Sequence, residues 1–576
     1  MRLPSALGVV GLVMVTLCSA AGGAPAQEPL AARDTVGVAC AGEQVLGVEF
    51  ATDPPPMIGD RVPGWIRSPL RWVLQHRQTS RDAVEPFMLV HEGDACSAER
   101  IAESQRMLRA QPYLADATIV TTPDSGGGVR LLVETTDEIP LIVGGSWHDD
   151  RIASVTYGNG NIGGRGMSGQ VTWDEGFAYR DGFGTQFTHY HLVGRSTARL
   201  AAVRGSLDEY YRAALTRAYL TDAQHTAWHV GAQRQESYIS YLRDDARAIS
   251  LALDRDLIDA GALFRVGPSR RRLLAGLVAS HERVDPASRG IVLADTGFAA
   301  DPDTVLENRY ARWQDTRIGA VLTARWIDYQ TLVGLDSSAG RQDVATGAQF
   351  AVTAGHGVAG DRRHPYGALD FYAATSIGRS LFAMHAITEG RRQGRGGWTD
   401  VVAGGHIAWY RKPTPRRTRS VRAEFSGAWN MSLPMQLALS DRRGGVRGYR
   451  GADEAGERRM VLRLEERLSL GGMGGVAGIG IAGFGDLGKL WAGDVPFGTN
   501  TGIRPSVGVA ALASVPRRSQ RVFRLEMAVP LVRDAPTRSW SLRVSSSMLY
   551  ESFWREPNDL RRMRAGRPAS ELLVWR

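Results

Sequence analysis

Lysine is almost missing from these 576 residues. Lys412 and Lys489 are the only two, in a chain with 69 basic and 60 acidic side chains and a formal net charge of +9. Positive charge is therefore carried by guanidinium, which is always ionised and offers a planar fork to carboxylate or phosphate. Long apolar runs are missing as well. Past the first twenty residues no stretch reaches the ~18 apolar residues of a membrane-spanning helix, so membrane insertion would require a barrel. Cysteine is scarce, with Cys18 near the start and Cys40 and Cys96 beyond it, which excludes a disulfide-dense scaffold. In an oxidising compartment Cys40 and Cys96 form a candidate disulfide, and spacing alone leaves their pairing open. Zinc-finger spacing, helix-turn-helix and RNP patterns are absent, so no nucleic-acid partner is expected. No nucleophile elbow, phosphate-binding loop or His-Glu-x-x-His run occurs, so neither an enzyme nor a cofactor is expected. His189 and His191 share one strand face, but two ligands do not make a metal site. Asp149-Asp150 and Asp244-Asp245 read as solvated loop residues.

What is present falls into four segments. Residues 1–26 have the form of a secretory signal: Arg2 at the start, an apolar stretch from Leu7 to Ala20, and the small-x-small site Ala24-Pro25-Ala26. Residues 40–139 read as a small α+β unit. A strand is expected over 44–50, a helix over 69–76, and a second helix over 98–109 with Ile101 and Leu108 on one face. Two strands follow around the turn Asp124-Ser125-Gly126-Gly127-Gly128. From 140 to 554 helical periodicity gives way to short alternating runs punctuated by glycine. Phe523, Leu525, Met527, Val529 and Leu531 share one face, and Arg524 and Glu526 the other. Trp540, Leu542, Val544, Met548 and Tyr550 repeat the pattern. At roughly 26 residues per strand and loop, this segment accommodates about 16 antiparallel strands of a transmembrane barrel. Phe553-Trp554 reads as the aromatic end of the last strand, which leaves 555–576 as a basic tail outside the barrel.

Two stretches stand out. Gly444-Gly445-Val446-Arg447-Gly448-Tyr449-Arg450-Gly451 sets one arginine among glycines. Some forty residues on, Phe484-Gly485-Asp486-Leu487-Gly488 places Phe484 and Asp486 on the face opposite Ile479 and Ile481. If the apolar face meets lipid, Asp486 points inward and needs a cation, for which Arg447 is the candidate. In the strand between them, Val461, Arg463, Glu465 and Arg467 share a face, and Glu466 falls anomalously on the apolar one. Taken together, these stretches resemble the Omp85 superfamily of outer-membrane barrels: the BamA/TamA-like assembly factors, the two-partner secretion transporters and relatives of the bacterial surface antigen D15 type. The hairpin Asn159-Gly160-Asn161-Ile162-Gly163-Gly164 is similar to the first hairpin of that barrel, and residues 40–139 to a single POTRA domain.

The resemblance implies a lumenal loop, Val446, Arg447, Gly448 and Tyr449, latched to Asp486 beside Phe484, with Glu465 and Arg467 on the supporting strand. An exchange of charge between 447 and 486 would restore part of the latch. It also implies an outer-membrane location with the N-terminal unit in the periplasm, an unfolded outer-membrane or secreted polypeptide as client, and lipopolysaccharide and phospholipid as surroundings. Family assembly factors carry several POTRA units and the secretion transporters two, so a single unit fits neither closely. The rival reading is a porin-like channel or surface structural barrel that moves no polypeptide.

Overall fold

The alternation of charged and apolar side chains becomes the wall of a closed barrel. In the strand Trp313–Val333, Ile318, Ala320, Leu322, Ala324 and Trp326 face outward, and Asp315, Arg317 and Arg325 are buried inside. Gln314 and Thr316 bracket the apolar row at one end and Asp328 at the other. From Ile318 to Trp326 the row covers eight residue steps, about 26 Å of extended chain. Those nine residues are the length of strand, about 9–11 residues, that a tilted strand needs to cross a membrane. Lipid cannot hydrogen-bond an open sheet edge, so a closed sheet with this exterior belongs in the outer membrane.

The computed structural model describes residues 40–56, 76–148, 151–177, 180–205, 207–243, 248–267, 272–294, 297–337, 339–394, 396–449, 454–473, 476–532, 539–548, 554–564 and 567–573. The expected leader, nearly all of the expected helix over 69–76, Asp149-Asp150, Asp244-Asp245 and the Arg450-Gly451 end of the arginine loop lie outside these residues.

The N-terminal unit is a four-stranded sheet in the order β2-β1-β4-β3: β1 (Ala41–Asp53), β2 (Ala95–Ser97), β3 (Leu114–Pro123) and β4 (Val129–Asp137). β1 runs parallel to β4, and the other pairs are antiparallel. A short helix α1 (Arg81–Val84) precedes α2 (Ala98–Arg109), whose N-cap Ser97 accepts from the Arg100 amide at 3.4 Å. Ile101, Met107 and Leu108 of α2 pack with Val45, Ile119, Leu131 and Val133 into one apolar core. Cys40 and Cys96 are disulfide-bonded, with Cα atoms 5.4 Å apart, which ties the start of β1 to β2.

The barrel runs from β5 (Leu141–His148) to β26 (Ser541–Ser547). Among the described residues its closed sheet has twenty-two strands. Two of them, β14 (Ile291–Ala294) and β15 (Gly297–Ala300), form a hairpin that pairs only with the start of the strand Ala248–Val266 and is not part of the ring, because β13 (Leu273–Pro286) pairs directly with β16 (Trp313–Val333). The wall therefore has twenty strands, not about 16. The expected spacing was too long because turns at the end carrying the N-terminal unit shrink to two residues, as at Gly194-Arg195 and Gly378-Arg379. Both glycines sit at φ +57°, the left-handed conformation that tight hairpin turns demand.

One further expectation needs correction. The last strand ends at Ser547, and Trp554 is not its aromatic end: it is fully buried in the lumen. Glu466 does point outward, where it pairs across the sheet with Arg417 at 2.8 Å and Arg419 at 3.4 Å. Arg417 opens the strand Arg417–Trp429, so the cluster lies at the rim, where water reaches it.

The N-terminal unit docks on one rim of the barrel. Arg109 meets Asp343 at 2.7 Å, Arg341 meets Asp116 at 2.8 Å, and the Arg106 guanidinium lies 3.9 Å over the Tyr329 ring. At the junction, Glu138 accepts from the Ile139 amide at 2.9 Å and from the Ser519 hydroxyl. Burial pushes its carboxyl up to about 7, against the pull of nearby Arg521. An unfolded glutamate ionises near pH 4.3, so below that pH both states keep the proton and burial is free of penalty. As pH rises toward about 7 only the unfolded state gives up its proton, and the junction loses roughly 3 kcal/mol that it does not regain. Glu138→Gln is expected to remove this pH dependence and to strengthen the junction at pH 8. Hydrogen exchange of residues 137–141, followed against pH, would show it; a slope equal to wild type would refute it.

Candidate functional site

The loop between β21 (Arg417–Trp429) and β22 (Arg458–Met473) leaves the rim opposite the N-terminal unit and folds back into the lumen. Apolar burial draws it in: Leu437, Leu439, Val446 and Tyr449 share a cluster with Val461 and Leu490 of the wall and are essentially inaccessible. The Val446 amide donates to the Leu439 carbonyl at 2.9 Å, which closes the tip of the loop. Gly448 follows Arg447 with φ +91°, a conformation that lets the chain reverse while the arginine points at the wall.

Arg447 and Asp486 meet there. Nη2 lies 2.6 Å from Oδ1 and Nε 2.7 Å from Oδ2, a two-pronged pair, and the Arg447 amide adds a bond to Oδ2 at 3.3 Å. Such paired, parallel charge-assisted bonds fix direction as well as distance. The guanidinium carbon stands 3.6 Å above the Phe484 ring, which adds a cation–π contact. Asp486 is fully buried and Arg447 nearly so. The alternation of β23 (Ala477–Trp491) sets this geometry: Phe484, Asp486 and Leu490 are buried inside, while Ile481 and Leu487 are exposed outside.

The guanidinium also reaches Glu465 at 3.1 Å and Glu526 at 3.5 Å. Glu465 is a hub, with Arg467 at 2.6 Å, Arg524 at 3.0 Å and Arg422 at 3.7 Å. Arg467 continues to Asp336 at 2.9 Å, in the turn at the opposite rim. Tyr449 is fully buried with the loop. Its hydroxyl donates inside the barrel to the Pro505 carbonyl at 2.8 Å. His189 and His191 touch edge to face at 4.9 Å, and the His191 ring engages the Arg165 carbonyl.

Residue-by-residue reading of the sequence passed over Glu526, Arg524 and Arg422 as members of this site. Their signal was there in part: each is a charge on the inward parity of its strand, and the sequence pattern around 523–531 already displayed it for Arg524 and Glu526. What the pattern lacked was the register that stacks β21, β22, β23 and β25 (Val522–Pro530) so that their charges converge.

Gly488 completes the site by its lack of a side chain. A Cβ there would collide with Cγ2 of Val446 and stand 3.0 Å from Cδ2 of Leu439. Gly488→Val is therefore expected to lift the loop while leaving every charged partner in place. Overpacking of about 1–3 kcal/mol corresponds to a 5- to 150-fold loss of the docked state. Protease cleavage within 430–449 of the folded barrel would report it, and wild-type cleavage rates would count against close packing here.

In overall fold the chain is similar to BamA and CdiB. Neither a protein-family model nor a curated protein matches it. Among solved structures, BamA from Haemophilus ducreyi lacking POTRA domains 1-3 aligns at 11% identity over 87% of this chain and 85% of that one, with a TM-score of 0.37. CdiB from Acinetobacter baumannii aligns at 8% identity over 95% of this chain and 99% of that one, TM-score 0.38. CdiB from Escherichia coli aligns at 10% identity over 94% and 99%, TM-score 0.40.

Proposed function

We propose that this chain is an Omp85-type barrel of the bacterial outer membrane that inserts or translocates polypeptide. The reading rests on one observation: an arginine from an in-folded loop forms a two-pronged, buried pair with Asp486 of the wall. A static pore needs no such latch. A barrel that must hold a loop inside and release it does, because a paired buried charge is stable only while both partners stay together.

Two more features support the reading. Among the described residues, the seam that joins the first and last wall strands, β5 and β26, is held by four residue pairs, against nineteen between β16 and β17 (Arg341–Gly360). A short ladder is the weakest place for a sheet to part. In the N-terminal, POTRA-like unit, residues 47–53 of β1 have no strand partner on their outer edge among the described residues. An extended client would add there as a further strand, through main-chain hydrogen bonds. Chemistry on the client is no part of the proposal.

A photo-crosslinking residue at Ala51 of β1, in cells, tests the idea. Capture of unfolded outer-membrane or secreted polypeptide is expected. Absence of any polypeptide adduct would favour the porin-like reading. An outer-membrane inventory after depletion separates the two versions: loss of many barrels means insertion, and loss of one secreted protein means transport.

A further inference from the structure

From Trp554 on, the described residues lie inside the barrel. Trp554, fully buried, packs edge-on against Tyr372 at 6.1 Å and lies 6.2 Å from His406, both on inner wall faces. Two six-residue helices follow, α3 (Asn558–Met563) and α4 (Arg567–Leu572). Leu560 of α3 is seated over Gly404, where an added Cβ would come within 2.6 Å of it. Leu572 of α4 is seated over Gly261 in the same way, at 3.1 Å. The Tyr219 amide then donates to the Leu572 carbonyl at 2.9 Å, and Leu573 forms a bridge beside it.

Charge pins the segment at both ends. Asp559 accepts from Arg459 of β22 at 2.7 Å. Glu571 accepts from Arg212 of β10 (Asp208–Arg217) at 2.9 Å. Those two strands stand ten places apart in the twenty-strand ring, so the segment crosses the full diameter of the lumen. Between the anchors, Arg564 reaches Glu389 at 2.9 Å. The same Arg459 also donates to the carbonyls of Ala438 and Arg443 at 2.8 Å each. One wall arginine thus holds the crossing segment and the arginine loop together. Leu560 and Met563 share their apolar cluster with Leu439, Val446 and Tyr449 of that loop.

We propose that the lumen is a built binding site for residues 554–564 and 567–573 of this chain, and that they form a displaceable plug that must leave before anything passes. Helices of six residues have no stability of their own in water, so this order is lent by the wall and is lost on release. Because Arg459 and the shared apolar cluster join plug and loop, release of one loosens the other. The proposal rests on the barrel being a conduit, not on the identity of the client.

The test uses the full-length purified chain in planar bilayers of diphytanoylphosphatidylcholine, with potassium chloride as the conducted probe. Gly404→Cys with Leu560→Cys places two thiols at the close contact. The oxidised chain is expected to stay closed, and reduction is expected to raise mean conductance about tenfold, as intermittent release resumes. Asp559→Arg with Glu571→Arg, which removes both charged anchors, is expected to conduct about tenfold more than wild type. Equal conductance before and after reduction would overturn displacement. Wild-type conductance of the folded charge-reversed chain would overturn occlusion. Gating without client crosslinks at Ala51 would leave a gated channel, and client crosslinks without gating would leave a machine with a fixed insert, so the two proposals fail separately.

Discussion

Arg447→Ala is expected to free the arginine loop while the wall stays folded. The substitution strands Asp486, whose side chain is fully buried and whose two oxygens both lean on the lost guanidinium. Removing one partner of a buried pair costs about 3–5 kcal/mol, which shifts the docked loop by roughly two to nearly four orders of magnitude. The wall keeps its ladder, because β22 and β23 pair along their length through main-chain bonds that do not involve the loop. The expected phenotype is thus local: raised conductance and protease access at 430–449, with unchanged heat-modified migration on gels. Wild-type conductance and cleavage would remove the basis for a latch. Asp486→Arg should release the loop in the same way. The reciprocal exchange, attractive when only these two residues are considered, is not expected to restore docking. An aspartate at 447 would face Glu465 and Glu526, which now receive the arginine at 3.1 and 3.5 Å.

That difference marks what the sequence carried and what it did not. Strand alternation was visible because lipid outside and charge inside repeat every two residues, as in Arg524 and Glu526 against Leu525 and Met527. The partners Arg447 and Asp486 were visible because each is costly where it sits unless the other is near. Strand number was not visible, since it depends on how many turns contract to two residues around a positive-φ glycine. The crossing segment was not visible either. Trp554, Asp559 and Glu571 each look like solvated or interfacial residues until Tyr372, Arg459 and Arg212, far away in sequence, are brought opposite them. Aromatic residues close a barrel strand and fill a lumen equally well, and local pattern cannot separate the two. The same holds for Glu465. On its own strand it is one inward charge; only the stacking of four strands makes it the acceptor of several guanidinium groups.

Glu465→Gln is accordingly expected to weaken the barrel itself, and more broadly than Arg447→Ala does. The substitution keeps shape and one acceptor oxygen but removes the charge that faces Arg447, Arg467, Arg524 and Arg422. Arg447 retains Asp486, Arg467 retains Asp336 and Arg524 retains Glu526. They should therefore remain in place rather than turn away, and their mutual repulsion rises in a site closed to water. A loss of about 3–5 kcal/mol is expected, the range for an uncompensated buried charge. It would appear as a lower urea midpoint for the whole barrel, together with weaker loop docking. The repulsion argument makes a further demand. Arg422→Gln in the Glu465→Gln background should recover part of the midpoint, because it removes a cation from the cluster. If the single substitution leaves the midpoint unchanged, or the second lowers it further, the hub is a set of separate pairs and the loop is held by Asp486 alone.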